Sequence, residues 1–559
     1  MGDCEFYNKI LKMRKLLLLV FVFSMLTGCD EEEIIVNEIE LKDITSNILI
    51  NNPIIYESTD VNITVENNSG AIESIVVYFN DEILLNLEND SNVNFSFNPE
   101  LYPTGLANIK IEIIEKSGGF ISKIYPITIH RKLLDVELDN YFFRKGNKDF
   151  MIFASAYDGS LLATRLIDSI PISFVLSTEV DIDLETPYMF TIASRNEFVD
   201  IEYANLYTVM DVTRSGFNEF RPKSPRRSEY SKQYKLNTIG FSEDVIIEGS
   251  INPGYSTGYD HLDFSFSFTK YEYLNEDNNI DTYYINAYNR NTRQVSHMWI
   301  NDDTLLNNQE LNANELSTED QIEGFVDTTY SDGLENDHTR MLQIRGYQNE
   351  KDFKNDNYHE IWRSGHTTTQ SPDMYIQPIE DYVLNTSFYK YSHFLRLEDY
   401  ITNRVGVPFE KYNIPNWDLD FQIIDKQINL TVNGSGHNVG KLLISSGNSA
   451  DEIPTVEGKL NHYTWNINFD SNKTSIITLP EVPQEIKNWS FGKFYNSSNL
   501  NVKWFRVERY ENIEDYDNYL NQIIRENKIL FQVSPLFEAK FISNDKYSNF
   551  MFDSDTFFD

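Results

Sequence analysis

Short runs in which apolar and polar residues alternate recur along most of the chain and predict β-strands. In the first third of the chain these runs are separated by turn-forming residues, and they fall at residues 60–65, 73–79, 92–97, 105–113 and 123–129. Short strands at regular spacing with turns between them are typical of a β-sandwich. The segment 41–131 is therefore predicted to be a small β-sandwich.

The same kind of pattern continues through residues 132–400, which we interpret as a β-rich region of one or two domains. Residues 149–155 and 161–165 predict a hairpin around the turn at 157–160. Residues 262–268 alternate strictly and place a leucine and three phenylalanines on one face of a strand. The polar stretches 301–324 and 348–373 are interpreted as long loops, which commonly carry binding surfaces.

The last region, 401–559, is also predicted to be a β-rich domain, and it carries the one helix expected from the pattern. Residues 421–425 and 427–432 predict a hairpin, and further strand patterns follow it. Apolar residues at helical spacing predict a helix over 513–529, with Asn512 as its N-cap. The predicted fold class is thus mostly β, with a sandwich followed by larger sandwich-type domains.

Composition narrows the classes of partner. The chain has 559 residues and a net charge of 47 − 86 = −39, so nucleic acid is not expected as a partner, because phosphate binding needs clustered cations. Hydrophobic residues make up 41% and aromatic residues 14%, which is too much for a disordered chain. The one basic cluster, at 221–227, is interpreted as an exposed loop, with anion binding as the alternative.

The N-terminal segment predicts export. Arg14 and Lys15 precede the apolar run 16–25, which is long enough for a signal peptide and too short to span a membrane. Residues 26–29, Leu-Thr-Gly-Cys, resemble the lipobox of bacterial lipoproteins, which implies cleavage before Cys29 and attachment of lipid to its thiol. Residues 1–29 are therefore the predicted signal peptide, and Met13 is an alternative start.

Two further resemblances extend this interpretation. The acidic run 30–33 resembles the surface-export signal of Bacteroidota lipoproteins, so 30–40 is an expected tether and the protein is expected on the outer membrane, facing the exterior. Residues 102–106, Tyr-Pro-Thr-Gly-Leu, resemble bacterial Ig-like modules, which implies an Ig-like sandwich at 41–131. Cys4 and Cys29 are the only cysteines, so the processed chain would have no disulfide or cysteine nucleophile.

No motif in the chain is specific enough to nominate a catalytic or metal-binding residue. Residues 254–258 match the letters of a G-x-S-x-G elbow around Ser256, but no helix is predicted after them, and a turn is the better interpretation. His359 and Glu360 begin a sequence similar to the zinc-binding motif H-E-x-x-H, but Arg363 stands where that motif has its second histidine. The glycine-rich stretch 433–441 lacks the Ser or Thr of a phosphate loop. No cofactor is expected, although acidic loops such as 275–281 leave structural calcium open.

Three tryptophans are the candidate binding residues. Trp299, Trp362 and Trp417 adjoin polar loops, and exposed aromatic rings stack on sugars or anchor protein partners. Trp465 and Trp504 fall inside strand patterns and are interpreted as core residues. The sequence thus favours a lipid-anchored, non-catalytic surface protein that binds a glycan or a protein. A surface glycoside hydrolase or other carboxylate-based hydrolase, and a purely structural stalk or adhesin, are the alternatives.

Overall fold

The structure of the protein is a computed structural model that describes most of the chain beyond residue 53. The described residues are 54–64, 72–90, 92–116, 118–143, 148–224, 228–249, 255–260, 263–273, 282–331, 340–365, 380–446, 455–496, 500–528 and 533–543. The predicted signal peptide, Cys29 and the acidic tether lie outside these residues, as does the acidic loop 275–281. No helix in the described residues has both the length and the apolar character needed to cross a bilayer.

The chain divides into two compact units. The first contains Met1–Leu133 and Ser177–Asp183, and the second contains Leu134–Leu176 and Leu184–Asp559. The prediction of a mostly β fold is confirmed, because nearly all the ordered elements in both units are strands. The first unit contains β1 to β7, which span Ile54–Ile55, Thr59–Thr64, Ile72–Phe79, Glu82–Glu88, Asn92–Phe97, Gly105–Glu115 and Phe120–Ile129.

These strands form the β-sandwich that the sequence predicts. One sheet has the order β1-β7-β6-β3-β4, and the other pairs β2 with β5. Side chains from both sheets meet in one core, which includes Val61, Ile75, Phe97 and Ile111. The alternation of the strands explains this core, because every second residue of a strand points to the same side of its sheet.

Arg131 connects three parts of the first unit. Its guanidinium donates to the carbonyl oxygens of Pro99 at 2.8 Å and Tyr102 at 2.7 Å, and to the carboxylate of Asp181 at 2.8 Å. The arginine is buried, so these hydrogen bonds replace the water that its charge would otherwise need. The contact to Asp181 shows why a segment that is distant in sequence belongs to this unit.

The second unit begins in β8 and contains the remaining strands, except for the last two residues of β11, which belong to the first unit. Strands β8 to β20 span Arg131–Leu138, Asp149–Ala156, Leu161–Ile167, Ile172–Thr178, Tyr188–Glu197, Ile201–Val212, Glu219–Phe220, Ser228–Ile239, Val245–Gly249, Tyr255–Asp260, Ser265–Tyr273, Thr282–Asn289 and Val295–Asn301. Strands β21 to β35 span Glu310–Asn312, Gln321–Phe325, Arg340–Tyr347, His359–Gly365, Asp381–Asn385, Lys390–Leu397, Tyr400–Val405, Asp418–Ile424, Gln427–Asn433, Val439–Ser445, Thr455–Val456, Lys459–Asp470, Ile476–Thr478, Val502–Tyr510 and Leu536–Ser543.

A 13-stranded sheet organises the second unit. Its order is β10-β9-β12-β13-β32-β30-β34-β35-β27-β26-β23-β24, and β31 pairs with β32. Smaller sheets accompany it, with the orders β11-β8-β14, β17-β18-β15-β21, β16-β19-β20, β22-β25 and β28-β29-β33. The largest core of this unit joins one face of the large sheet to residues of β28, β29 and β33, and it includes Leu206, Trp465, Leu442 and Phe505.

One parallel pairing joins distant parts of the sequence within this sheet. Residues 201–209 of β13 pair in register with residues 460–468 of β32. The predicted boundary at 400/401 is therefore not a division in this fold, because strands from both sides of it share one sheet. The strand pattern could not show this, since a periodic sequence predicts a strand but not its neighbour.

The helices are short. They are α1 (Glu350–Lys354), α2 (Gln484–Lys487), α3 (Ser490–Asn496) and α4 (Tyr516–Tyr519), and α4 continues as a π-helical turn over Leu520–Ile524. Single 3-10 turns occur at Pro99–Leu101, Asp302–Thr304, Ala313–Glu315 and Thr329–Ser331. The helix predicted over 513–529 is thus shorter, and its N-cap is Asp515 rather than Asn512, since the Asp515 side chain accepts from the Asn518 backbone N–H.

Several local predictions can be compared directly with the strands. The hairpin at 421–432 and the glycine-rich turn before β30 are confirmed, with Gly434 and Gly436 at positive φ. Of residues 254–258, interpreted as a turn, residues 255–258 instead belong to β17. Phe264 was expected on the buried face of a strand, but it lies in a turn at positive φ and is half exposed, because β18 begins only at the next residue.

Candidate sugar-binding surface

The face of the large sheet opposite its main core is lined in its central part by half-buried aromatic and amide side chains. Burial alternates residue by residue along the first part of β13, most of β32 and the middle of β30, so that one face is closed and the other is partly accessible. On β34 Trp504 is the partly accessible residue of this face. The set that we call the Tyr203–Trp504 surface consists of Phe198, Tyr203, Asn205, Tyr207, Leu443, His462, Thr464, Asn466 and Trp504. Lys441 of β30 is also partly accessible on this face, and its ammonium lies 3.1 Å from the carboxylate of Glu508.

Strand register sets the positions of these residues. Tyr207 is paired with Asn466, Asn466 with Leu443, and Leu443 with Trp504. These four residues therefore form one row across four neighbouring strands, with an aromatic side chain at each end. The next row towards the start of β13 contains Asn205, whose side-chain oxygen accepts a hydrogen bond from the Thr464 hydroxyl at 2.7 Å.

Aromatic rings cluster at the far end of the surface. The rings of Tyr203 and His462 stack with centroids 4.9 Å apart and an interplanar angle of 11°. Phe198, in the turn between β12 and β13, contacts Tyr203 edge-on at 6.1 Å and is 56% exposed. Large exposed aromatic rings beside polar groups are the features that bind amphipathic ligands such as sugars.

The residues of the Tyr203–Trp504 surface carry no formal charge at neutral pH, and the ammonium of Lys441 beside them is paired with Glu508. Its residues are aromatic, aliphatic, amide or hydroxyl-bearing, and burial lowers the pKa of His462 below its ordinary value, so that the imidazole is neutral. A chain with a net charge of −39 thus presents one extended surface without a carboxylate. These residues can donate and accept hydrogen bonds and stack on an apolar ring face, but they offer no counter-ion.

Charged groups next to the surface are buried in a separate network. Arg506 and Glu508 form a salt bridge on β34 and are 1% and 0% exposed at their side chains. Lys441 lies 3.1 Å from the carboxylate of Glu508, which also accepts a hydrogen bond from Tyr510. Burial, followed by the charge of Glu508, raises the pKa of Tyr510 well above its ordinary value. The two cations share the carboxylate of Glu508, and the ring of Tyr510 packs against Tyr519 of α4 with centroids 5.4 Å apart.

The three tryptophans nominated from the sequence lie away from this surface. Trp362 and Trp417 are each 2% exposed and belong to separate cores, and Trp299 is partly buried against Tyr284 and Phe388. A tryptophan that binds a ligand needs an accessible ring, and the rings of Trp362 and Trp417 are not accessible. Trp362 is buried because residues 359–365, interpreted as loop, form β24.

The sequence analysis missed Trp504. It was interpreted as core, as Trp465 was, but Trp465 is fully buried and Trp504 is only partly so. The signal was present in the alternation of β34, where Trp504, Arg506 and Glu508 share one face and the apolar residues between them face the core.

Two buried carboxylates with raised pKa values, Asp211 and Glu360, lie elsewhere in the second unit. Burial raises the pKa of Asp211, whose carboxylate accepts hydrogen bonds from Tyr157, from Thr474 at 3.2 Å and from the Asp470 backbone N–H at 2.8 Å. Burial also raises the pKa of Glu360, which accepts from Gln343. Each of these acids is surrounded by protein groups.

The other two candidate sites, a metal site at His359 and an anion-binding site at the basic loop, have less support. Burial lowers the pKa of His359 to about 3, so this histidine is a neutral core residue, and no group of three or more metal-binding side chains occurs in the described residues. The described part of the basic loop borders a groove of about 660 Å³. There Arg221 lies 3.5 Å from Glu137 and 3.9 Å from Glu219, so its charge is already compensated.

Comparisons with known proteins do not identify the chain. No family model matches it, and no curated protein is significantly similar to it. Among solved structures it aligns with an endo-β-1,4-mannanase from Thermotoga petrophila at 18% identity, covering 14% of this chain and 17% of that one, with a TM-score of 0.13. The chain thus matches about a sixth of that protein's length.

Two other alignments are similarly weak. One is with the fibronectin(III)-like modules of Clostridium thermocellum CbhA, at 10% identity, covering 14% of this chain and 87% of that one, with a TM-score of 0.12. The other is with Bacteroides ovatus SGBP-B in complex with a mixed-linkage heptasaccharide, at 11% identity, covering 59% and 85%, with a TM-score of 0.11. TM-scores this low give no basis for assigning a family or a function.

Proposed function

We propose that this protein is a non-catalytic binding protein that holds a neutral glycan on the Tyr203–Trp504 surface. The observation that carries the proposal is the composition of that surface, in which aromatic rings flank amide and hydroxyl groups without a charge. Sugars present apolar ring faces and many hydroxyls, so they need stacking partners and hydrogen-bonding groups together. The surface supplies both from rigid strands, which favours binding because little ordering is required.

The proposal is tested by binding of a glycan array to the soluble chain that begins at Asp30. We expect at least one neutral glycan to bind and to raise the melting temperature by mass action. Trp504→Ala should weaken that binding at least tenfold, because stacking aromatic residues dominate such contacts. Tyr389→Ala is the matched control, since Tyr389 is 57% exposed and lies outside the surface.

Two outcomes would overturn the proposal. If no neutral glycan binds, the surface is not a sugar site. If a glycan binds equally well to the wild type and to Trp504→Ala, the sugar site lies elsewhere. Incubation of the bound glycan with the protein then separates a binding protein from a hydrolase, because only a hydrolase releases shorter products.

We also propose that the chain is anchored to the outer membrane through Cys29 and faces the exterior. This rests on the sequence of residues 13–33, which lie outside the described residues. Metabolic labelling with a radioactive fatty acid should label the wild type and not Cys29→Ser. Protease treatment of intact cells should degrade the anchored protein, and protection from protease would show that it faces inward.

A further inference from the structure

The row from Tyr207 to Trp504 has the length of an oligosaccharide rather than of one sugar. Adjacent strands are about 4.8 Å apart, so the first and fourth strands of the row are separated by roughly 14 Å, which is about three sugar rings. Asn466 and Leu443 lie between the two aromatic residues and provide an amide and an apolar contact. A single monosaccharide cannot contact both ends of this row at once.

One long side of the row is closed by α4. The next residue on the same face of β32, Asn468, donates from its amide to the hydroxyl of Tyr519 at 3.0 Å. On the neighbouring strand the ammonium of Lys441 lies 5.9 Å from the centre of the Tyr519 ring. The helix therefore lies along the row, and a branch on that side of a bound chain would meet protein.

The Trp504 end is held in place by the buried ionic network. The guanidinium carbon of Arg506 lies 4.8 Å from the centre of the Trp504 ring, within the range of a cation–π contact. Because Arg506 is fixed by its salt bridge with Glu508, the indole has a defined support. A stacking residue that is ordered before the ligand arrives binds more tightly, since less side-chain entropy is lost on binding.

From these features we infer that the surface selects an unbranched, uncharged oligosaccharide of at least three units, lying across the strands with its ends on Tyr207 and Trp504. This inference rests on the proposed function and adds the length, branching and charge of the ligand. The uncharged character follows from the residues of the surface, none of which is ionised, and from the pairing of the neighbouring Lys441 and Arg506 with Glu508. The strongly negative chain in addition repels acidic sugars.

The test is a ladder of linear neutral oligosaccharides of glucose, mannose, xylose and galactose, from one to six units, with branched and uronic-acid counterparts of each. Affinity is measured by isothermal titration calorimetry on the soluble chain. For the sugar that binds, we expect at least a tenfold gain between the disaccharide and the tetrasaccharide, and little gain beyond it. The branched and acidic counterparts should bind at least tenfold more weakly.

A variant at one end of the row locates the ligand. Tyr207→Leu keeps an apolar side chain on β13 and removes the ring, and it should lower tetrasaccharide affinity at least tenfold. Trp504→Phe, which keeps a smaller ring, should weaken the longer sugars less than Trp504→Ala. Melting temperatures of the variants confirm that they are folded.

The outcomes separate this inference from the proposed function. Absence of binding by every sugar would overturn both. Affinity that is the same for a monosaccharide and a tetrasaccharide, or that is higher for the branched or acidic counterpart, would overturn this inference and leave the binding function standing. Unchanged tetrasaccharide affinity in Tyr207→Leu would show that the chain does not extend along the row.

Discussion

The phenolic oxygen of Tyr412 lies 2.7 Å from Nε2 of His393, and Nδ1 of the same ring lies 2.9 Å from the carbonyl oxygen of Gly406. A carbonyl oxygen can only accept, so Nδ1 carries the proton and Nε2 accepts from the tyrosine. The Tyr412 oxygen itself accepts from the backbone N–H of Phe409 at 2.9 Å. The buried imidazole is therefore held neutral in one tautomer.

Removal of the tyrosine hydroxyl should destabilise the protein. In Tyr412→Phe, Nε2 of His393 loses its donor at a site that water does not reach, and we expect the free energy of unfolding to fall by about 1–3 kcal/mol. Urea denaturation followed by tryptophan fluorescence measures this. Tyr389→Phe, at an exposed position, should change stability by less than about 0.5 kcal/mol. Equal stability of the two variants would contradict the hydrogen-bond assignment.

The same histidine should make stability depend on pH. Burial lowers the pKa of His393 from 6.5 to about 4, so between these values the unfolded chain binds more protons than the folded chain. The free energy of unfolding therefore falls as the pH decreases through this window. The full difference of about 2.5 units corresponds to roughly 3 kcal/mol.

His393→Gln isolates that contribution. The variant has no group that titrates at this position, so the stability difference between wild type and variant should shrink between pH 7 and pH 4.5. The carboxylates are common to both proteins, and their effect cancels in the comparison. A stability difference that stays constant with pH would contradict a lowered pKa for His393.

Neighbouring positions on β7 should differ sharply in their tolerance. Ile127 is 1% exposed in the core of the first unit, whereas Ile124 is 59% exposed on the outer face of the same strand. Ile127→Ala should lower the free energy of unfolding by about 2–5 kcal/mol, because it removes buried methyl groups and leaves a cavity. Ile124→Ala should change it by less than about 0.5 kcal/mol. Thermal unfolding of the two variants measures the contrast, and similar losses would contradict the burial pattern.

Residues 401–559 should not fold when they are expressed alone. In that fragment β32 lacks β13, with which residues 460–468 pair, and the apolar contacts of Trp465 with the residues of β13 are also lost. Circular dichroism and amide-exchange measurements should show a chain without a protected core. A cooperative unfolding transition in the isolated fragment would restore the boundary predicted at 400/401.

Local structure could be predicted from the sequence where one strand face is apolar and the other polar. The hairpin at 421–432 and the strands of the sandwich have that pattern. The sheet order could not be predicted, because the pairing of β13 with β32 depends on residues far apart in the chain. Phe264 shows a second limit of prediction from the sequence. The alternation of apolar and polar residues around it continues through a turn, so the pattern does not show where β18 begins.

The candidate surface could not be found from tryptophan positions and their neighbouring loops. Trp362 and Trp417 adjoin polar sequence but are covered by other elements of the fold. Tyr203 and Tyr207 alternate with small and aliphatic residues on one strand, and this alternation does predict a two-faced strand. That these tyrosines lie near Trp504 follows only from the order of the strands in the sheet, so the surface could be identified only from the structure.

The pairing of β13 with β32 also sets an order of events during synthesis. Asn205 and Thr464, which meet across this pairing, are 259 residues apart in the chain. At about 5–20 residues per second, roughly 13–50 s pass between the emergence of the two strands from the ribosome. During that interval β13 has an open edge, on which strands of other molecules can add. A nascent chain of this protein therefore needs either a chaperone or an unfolded state until β32 has been made.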